Sequence, residues 1–436
     1  MILKMKYQHI IIQVILFFSS ALALDINAQC DSTRHPIIMV HGFLASGDTY
    51  ERQALRFVEQ GYCPDFLKTF DWNTLGGQRS ISDLQGFIQR VVDELGADSV
   101  YLMGHSAGSG ICFDLIDKND DELPISKYVH LAGRPMVAKE NSGHQKVKGL
   151  NIYSEADFIV KGDDITDFTN VKLTDADHYQ VATSGETFKI IYSFLFGEAP
   201  RTIEAKESEN SRVSISGKCL HLGTNTVQDG YQISVFKVDP NTGFRQSFSP
   251  NATIQVKADG SWGPTEVMSE AYYEFEVINT EDSSVRPIHY YRQPFNTDNQ
   301  WVYFRTMPPA NSPAGMLLAG LPGDSDEEAV IGVFAANQAI VHGRDSIMVQ
   351  DTVITNAENA KAESSNIAWF LYDANRNGKS DYTTIGTYGM LPFLTGIDIA
   401  FETEGQKSYS VTVNDQTLRF KPWPAKSKGL TMLVFE

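Results

Sequence analysis

The stretch Ser99-Val100-Tyr101-Leu102-Met103-Gly104-His105-Ser106-Ala107-Gly108 decides the fold. Ser99 to Met103 reads as a short buried strand, bounded by the glycine that follows it. Gly104 and Gly108 bracket a serine in a tight turn, and Ile111, Phe113, Leu115 and Ile116 then mark a helix. A strand, a sharp turn and a helix lift a serine hydroxyl above the edge of a sheet, over free N–H groups and the positive end of the helix. Side chains at either glycine would crowd the neighbouring strand and helix.

Working outward, residues 35–197 alternate strand and helix. Pro36 to Val40, Phe66 to Phe70, Tyr128 to Leu131 and Leu150 to Tyr153 are strand-like, and Tyr50 to Gln60 is helical up to Gly61. Ile81, Leu84, Phe87, Ile88, Val91, Val92 and Leu95 recur at three- and four-residue spacing, which makes an amphipathic helix stopped by Gly96. The last helix opens at Thr183, with Glu186 completing a capping box, and buries Phe188, Ile191, Tyr192, Leu195 and Phe196. Such alternation predicts a mostly parallel sheet with helices on both faces, an α/β class domain.

A serine hydroxyl is a poor nucleophile at neutral pH and needs a base, which in turn needs an orienting acid. For a serine on such a turn the order along the chain is serine, acid, histidine. His178, in Asp177-His178-Tyr179 just before the last helix, stands where the base loop belongs. Asp157 follows the strand Asn151-Ile152-Tyr153-Ser154 and is the expected acid, with Glu155 and Asp177 as rivals. Asp177 adjoins His178 and would reach its ring Nδ1 with difficulty; Asp163, Asp164 and Asp167 read as a solvated acidic loop. Two N–H donors must face the developing oxyanion. Ala107 supplies one, and Phe43, after the turn at Gly42, supplies the other. His41, His105 and His130 read as structural hydrogen-bonders.

The 436 residues hold 42% hydrophobic and 21% charged side chains, a globular composition long enough for two or three domains. The net charge of −18 argues against nucleic acid and against loose attachment to anionic membranes. Residues 1–28 read as a signal peptide: Lys4 and Lys6, an apolar run from Ile10 to Leu24, and Ala21-Leu22-Ala23 as a cleavage pattern. The expected product is secreted, extracellular or periplasmic. Disulfides are then permissible, and Cys30 with Cys63 is the expected clasp, leaving Cys112 and Cys219 free.

The catalytic domain is expected over 29–200 and a polar linker over 201–212. Beyond it, runs such as Tyr231 to Val238, Tyr272 to Ile278, Trp301 to Arg305, Ala368 to Tyr372 and Tyr409 to Val413 are separated by Gly, Asn, Asp and Pro turns. This is all-β material of sandwich or barrel type. Pro287 to Thr297 divides it into modules 213–292 and 293–436, the second expected to bind lipid or substrate. Within it, Asp373, Asn375, Asn377 and Asp381, with Gly378 sixth, follow the spacing of a calcium loop, although Thr384 stands where a glutamate is expected. A plain Asn-Gly turn explains the same residues. Asn251-Ala252-Thr253 matches a glycosylation acceptor.

On these motifs, residues 35–197 resemble the α/β-hydrolase fold, and His41-Gly42-Phe43-Leu44 with Gly104-His105-Ser106-Ala107-Gly108 resembles bacterial and archaeal lipases. Tyr153-Ser154-Glu155-Ala156-Asp157 resembles their acid-bearing strand end. The resemblance implies a serine ester hydrolase with an acyl-enzyme on Ser106, a base at His178, carboxylic ester or emulsified lipid substrates, no required cofactor, and a β domain that engages lipid. One departure stands out. The segment Arg134 to Gly149 is short and polar where many lipases insert an apolar helical lid. Leu44, Trp72 and Leu75 form the alternative acyl-binding lip. Three functions therefore stay in play: a lipase, a lidless esterase or polyester or cell-wall ester hydrolase, and a non-enzymatic surface-binding protein with a relic hydrolase domain.

Overall fold

The structure is a computed structural model that describes residues 30–436 apart from 77–80, 119–122, 141 and 389–392. The expected signal peptide lies outside the described residues. Six strands, β1 (Ile37–Val40), β2 (Leu67–Phe70), β3 (Val100–His105), β4 (Ile125–Leu131), β5 (Lys148–Ser154) and β6 (Thr169–Leu173), form one sheet in the order β2-β1-β3-β4-β5-β6. Every neighbouring pair is parallel. The helices are α1 (Glu51–Glu59), α2 (Ile81–Leu95), α3 (Ala107–Lys118), α4 (Gln180–Thr183) and α5 (Gly185–Phe196).

Alternation along the strands explains why both faces are covered. Ile37 and Met39 of β1, with Tyr101 and Met103 of β3, pack against Phe57 of α1 and Phe188 and Ile191 of α5. Ile38, Val40, Val100 and Leu102 point the other way, onto Leu84 and Ile88 of α2 and Ile111 and Leu115 of α3. The edge strand β6 was not expected; its alternating, half-exposed Thr-Asn-Val-Lys-Leu has little apolar signal. The expected capping box is displaced by one residue. Thr183 is the last residue of α4, and Ser184 caps α5 by accepting the Thr187 N–H. Thr183 is unsuited to the role because its hydroxyl already lies on the Tyr179 and Asn337 carbonyls.

Cys30 and Cys63 form the expected disulfide, with Cα atoms 4.7 Å apart, while Cys112 and Cys219 are free and buried. No helix among the described residues is long and apolar enough to cross a membrane.

Fifteen further strands follow: β7 (Arg212–His221), β8 (Tyr231–Lys237), β9 (Ala252–Gln255), β10 (Ser261–Met268), β11 (Tyr273–Asn279), β12 (Ile288–Arg292), β13 (Asn299–Thr306), β14 (Ile331–Ala335), β15 (Ile347–Val349), β16 (Thr352–Val353), β17 (Ala368–Tyr372), β18 (Leu394–Asp398), β19 (Tyr409–Val413), β20 (Gln416–Phe420) and β21 (Leu430–Phe435). They make sheets of order β10-β7-β13, β18-β17-β14-β21-β12-β11-β8-β9 and β16-β15-β19-β20. The expected division at 292/293 does not separate these sheets. Strand β13 pairs with β7, and the C-terminal β21 inserts between β12 and β14. Pairing between strands so far apart in the chain leaves no trace in local turn chemistry. Residues 201–206 are likewise no free linker: Arg56 of α1 and Gln60, just past its end, hold the carbonyls of Ile203 and Thr202.

The two halves are welded together. Trp301 of β13 enters the core of the α/β domain. The buried Arg292 guanidinium reaches Glu51 of α1 and the side chain of Glu436, and Asn299 completes the Glu51 shell. Burial pushes the Glu51 carboxyl up to about 7, against the pull of Arg292. Arg305 grips Asp48 through two bonds of 2.6 Å, and Lys218 meets Asp71 at 2.6 Å.

Candidate active site

Ser106 sits between β3 and α3 with φ of +52°, in the left-handed region that few non-glycine residues adopt. Its N–H donates to the Leu131 carbonyl at 2.9 Å, and its own carbonyl starts the helix by accepting the Ser109 N–H. The flanking glycines are sterically required. A Cβ at Gly104 would lie 2.6 Å from Ser109 Cα, and one at Gly108 would lie 2.4 Å from the Val40 and His41 carbonyl oxygens. The elbow is thus wedged against the end of β1, the strand that leads into the Gly42 turn.

That turn touches the elbow. A Cβ at Gly42 would meet Ser106 Cβ at 3.1 Å and His105 Nδ1 at 3.2 Å. The next residue, Phe43, is partly exposed. The other expected donor, Ala107, opens α3, where an N–H has no partner within the helix.

Asp157 and His178 meet as expected. His178 Nδ1 donates to Asp157 Oδ2 at 2.8 Å, and both residues are buried, His178 to 2% exposure. The other Asp157 oxygen accepts the N–H groups of Ile159 and Val160, each at 2.9 Å, so the carboxylate cannot swing away. With Nδ1 donating to the carboxylate, the neutral form of the ring carries its lone pair on Nε2. The rivals are occupied elsewhere. Glu155 pairs with Lys172, and Asp177 accepts from Tyr179 N, Gln180 N, Ala339 N and Arg344.

His105 ties the His178 loop to the elbow. Its Nε2 lies 2.9 Å from the His178 carbonyl, and the two rings are 4.7 Å apart between centroids. Burial, then the neighbouring His178, pushes the His105 pKa well below the ordinary value. The ring therefore stays neutral and donates its one proton to that carbonyl. Among the described residues no hydrogen bond joins the Ser106 hydroxyl to His178. His41 is used up structurally: Nδ1 donates to Gly42 O, and Nε2 faces the N–H of Trp72 and the amide of Asn225. His130 lies buried under Tyr128, and burial brings its pKa down to about 4.

Three participants were missed by sequence reasoning, and all come from the β region. Asn225, with φ of +53°, inserts its side chain into the loop after β1. Its Nδ2 lies 2.8 Å from Ala45 O and 3.0 Å from Trp72 O, and its Oδ1 accepts from Ser46 Oγ at 2.6 Å. Arg344 clamps Asp177, next to the base, at 2.8 Å. Phe393 stacks on the His178 ring, 6.2 Å between centroids and 11° between planes. No local pattern announces such long-range contacts.

A cavity of about 490 Å³ opens at Ser106 and Ala107, walled by Trp72, Met136 and Val160. Trp72 is locked there by an Nε1–H bond to His41 O of 2.8 Å. Its wall from Arg134 to Met136 belongs to the short polar segment, which carries no helical lid among the described residues. A second, apolar cavity lies between the halves, lined by Leu44, Tyr179, Leu222, Phe370, Phe393 and Met432 among others. Leu75, Leu44 and Ala314 all approach Gly223. In the 373–381 loop, Asn375 and Asn377 direct their amides at Asp381, while Asp373 accepts the Asn377 and Gly378 N–H groups.

The lipase C-terminal domain family matches residues 211–309, and a second C-terminal-domain family matches residues 334–426. Similar solved structures include a predicted CIB-like hydrolase from Thermoplasma acidophilum, 17% identical over 38% of this chain and 89% of its own, with a TM-score of 0.32. A Bacillus licheniformis lipase in its mature form is 13% identical over 38% of this chain and 94% of its own, with a TM-score of 0.32. An esterase from Exiguobacterium antarcticum is 14% identical over 37% of this chain and 92% of its own, with a TM-score of 0.30. By its own sheet order, elbow and helix placement, the chain is an α/β-hydrolase-fold protein, and its all-β region opens with a stretch matched by the lipase C-terminal domain family.

Proposed function

We propose that this protein is an exported serine carboxylic-ester hydrolase of lipase type. The observation that carries the reading is the Asp157–His178 pair, 2.8 Å apart and buried, at the rim where the Ser106 elbow ends the central strand. In the reaction, Ser106 turns onto His178 Nε2, gives up its proton and attacks the ester carbonyl. The oxyanion takes the N–H groups of Ala107 and Phe43. His178 returns the proton to the leaving alcohol, and water, activated by the same imidazole, then cleaves the acyl-enzyme. Asp157 keeps His178 in the working tautomer and stabilises the imidazolium. Hydrogen bonds of this kind are often open before substrate arrives.

The cavity at Ser106, walled by Trp72, Ile111, Met136 and Val160, supports an acyl chain as the buried part of the substrate. This favours fatty esters over polymer substrates, which need an open groove. The Cys30–Cys63 disulfide supports an oxidising compartment. The test is turnover of p-nitrophenyl esters of increasing chain length by the full chain and by Ser106→Ala, with fluorophosphonate labelling alongside. Loss of both turnover and labelling in a folded Ser106→Ala protein is expected; retained turnover would reject the mechanism, and an unlabelled parent protein would favour the relic-hydrolase reading.

A further inference from the structure

The loop from Asp373 to Asp381 is a sequence motif that ester hydrolysis leaves unused. It leaves β17, turns through Arg376 and Gly378 at φ of +58° and +73°, and returns along β18. The backbone is clasped to that strand: Tyr382 N donates to Asp398 O, and Asp398 N donates to Thr383 O, each at 2.9 Å. Asp398, the last residue of β18, sits in register with Tyr372, immediately before the loop.

Asp398 is only 3% exposed, yet its Oδ1 has no hydrogen-bond partner. An unpartnered buried carboxylate oxygen is costly and is rarely tolerated without a counter-charge. The surroundings add negative charge rather than remove it. Asp373 and Asp381 both act on it as like charges, and the loop N–H groups of Ala374 and Asn375 face the carboxylate. The arginine of the loop does not help, since Arg376 pairs outward with Asp324 and Glu328.

We propose that Asp398 completes a site for a hard divalent cation of the calcium class, together with Asp373, Asp381 and the side-chain oxygens of Asn375 and Asn377. The apparent defect of the motif, Thr384 in place of a glutamate, is met from the neighbouring strand: Thr384 bridges to Ile397, one residue from Asp398. As the chain stands, no three acidic, histidine or cysteine side chains among the described residues converge closely enough to hold a metal. Both asparagine amides currently present nitrogen to Asp381 Oδ2, at 2.8 and 2.9 Å. Binding therefore requires a half-turn of each amide, which exchanges nitrogen for oxygen in the same shape, and a closing shift of the exposed loop that brings Asp373 and Asp381 toward Asp398. The site then offers five side-chain oxygen donors, and backbone carbonyls and water complete the six to eight that calcium takes. A mixed set of carboxylate and amide oxygens without octahedral arrangement suits calcium better than magnesium, which demands a near-ideal octahedron.

The experiment is calorimetric titration of the chelator-treated full-length protein with calcium chloride, with thermal unfolding measured in parallel. A saturable one-site heat with a Kd on the order of 10⁻⁴ to 10⁻³ M, and a midpoint raised by a few degrees, is expected. Magnesium chloride at the same concentration gives at least tenfold weaker binding. Asp398→Asn loses at least tenfold in calcium affinity. Should that variant not fold, Asn375→Ala with Asn377→Ala on the exposed loop gives the same loss. Absence of both heat and midpoint shift in the parent protein up to about 5 mM calcium, or full affinity in either folded variant, overturns the proposal.

Discussion

Replacing Asn225 with alanine tests whether the β region positions the catalytic machinery or merely covers it. The asparagine holds Ala45 O, Trp72 O and the His41 ring through Nδ2 and accepts the Ser46 hydroxyl through Oδ1. All four partners belong to the α/β domain, on the loop that presents Phe43 or on the wall beside it. At about 1 kcal/mol net for each hydrogen bond, the loss comes to roughly 3–4 kcal/mol. Alanine at φ of +53° adds about 1 kcal/mol of backbone strain. Thermal unfolding of so large a unit should therefore fall by about 5 °C. The kinetic effect should be larger than stability alone demands, because a loose loop no longer aims its N–H at the oxyanion. Losing one such donor costs about 10²- to 10³-fold in kcat, so kcat on p-nitrophenyl butyrate should drop by about 100-fold with KM changed only a few-fold. Asn225→Gly relieves the backbone strain without restoring the bonds, and should recover part of the stability but little of the rate. A folded Asn225→Ala enzyme with kcat within about twofold of the parent would refute the idea that this side chain holds the oxyanion loop.

Asp157→Asn should keep the fold and lower kcat by about 10⁴-fold, since the amide can no longer select the working tautomer of His178; steady-state rates at saturating substrate measure this. Glu274 makes the β region acid-sensitive. Burial pushes its carboxyl up, but hydrogen bonds from His289 and Arg245 outweigh burial and bring it down to about 2 from the usual 4.5. A depressed carboxylate stabilises above the unfolded value, so about 3 kcal/mol should be lost as the pH falls from 4.5 toward 2. Urea unfolding at pH 6 and pH 3 should show a smaller difference between the two pH values for Glu274→Gln than for the parent. Opening the Cys30–Cys63 bond, which closes a separation of 33 residues, should destabilise by about 4 kcal/mol, read as the shift in urea midpoint with and without reductant.

Much of the α/β half was legible in the sequence because its signals are local. Periodic apolar residues fixed α2, the two glycines of the elbow declared themselves, and Asp157 and His178 each stood at the end or entrance of an element whose place in the sheet follows from alternation. Legibility failed where the cause was non-local. The edge strand β6 has too little apolar content to register, and the cap of α5 moved by one residue because Asn337, far along the chain, claims the Thr183 hydroxyl.

The sequence by itself determined the residue types at the site, their order and the βα frame that holds them. Only the tertiary structure decided that the β region is part of the site. Asn225, Arg344 and Phe393 reach it across separations of more than 100 residues, set by strand pairings such as β21 with β12. Periodicity reports which face of an element seeks burial, and it is blind to which distant face will provide it. That choice is made by packing the whole chain at once, and Asp398 beside the 373–381 loop is a second case of the same kind.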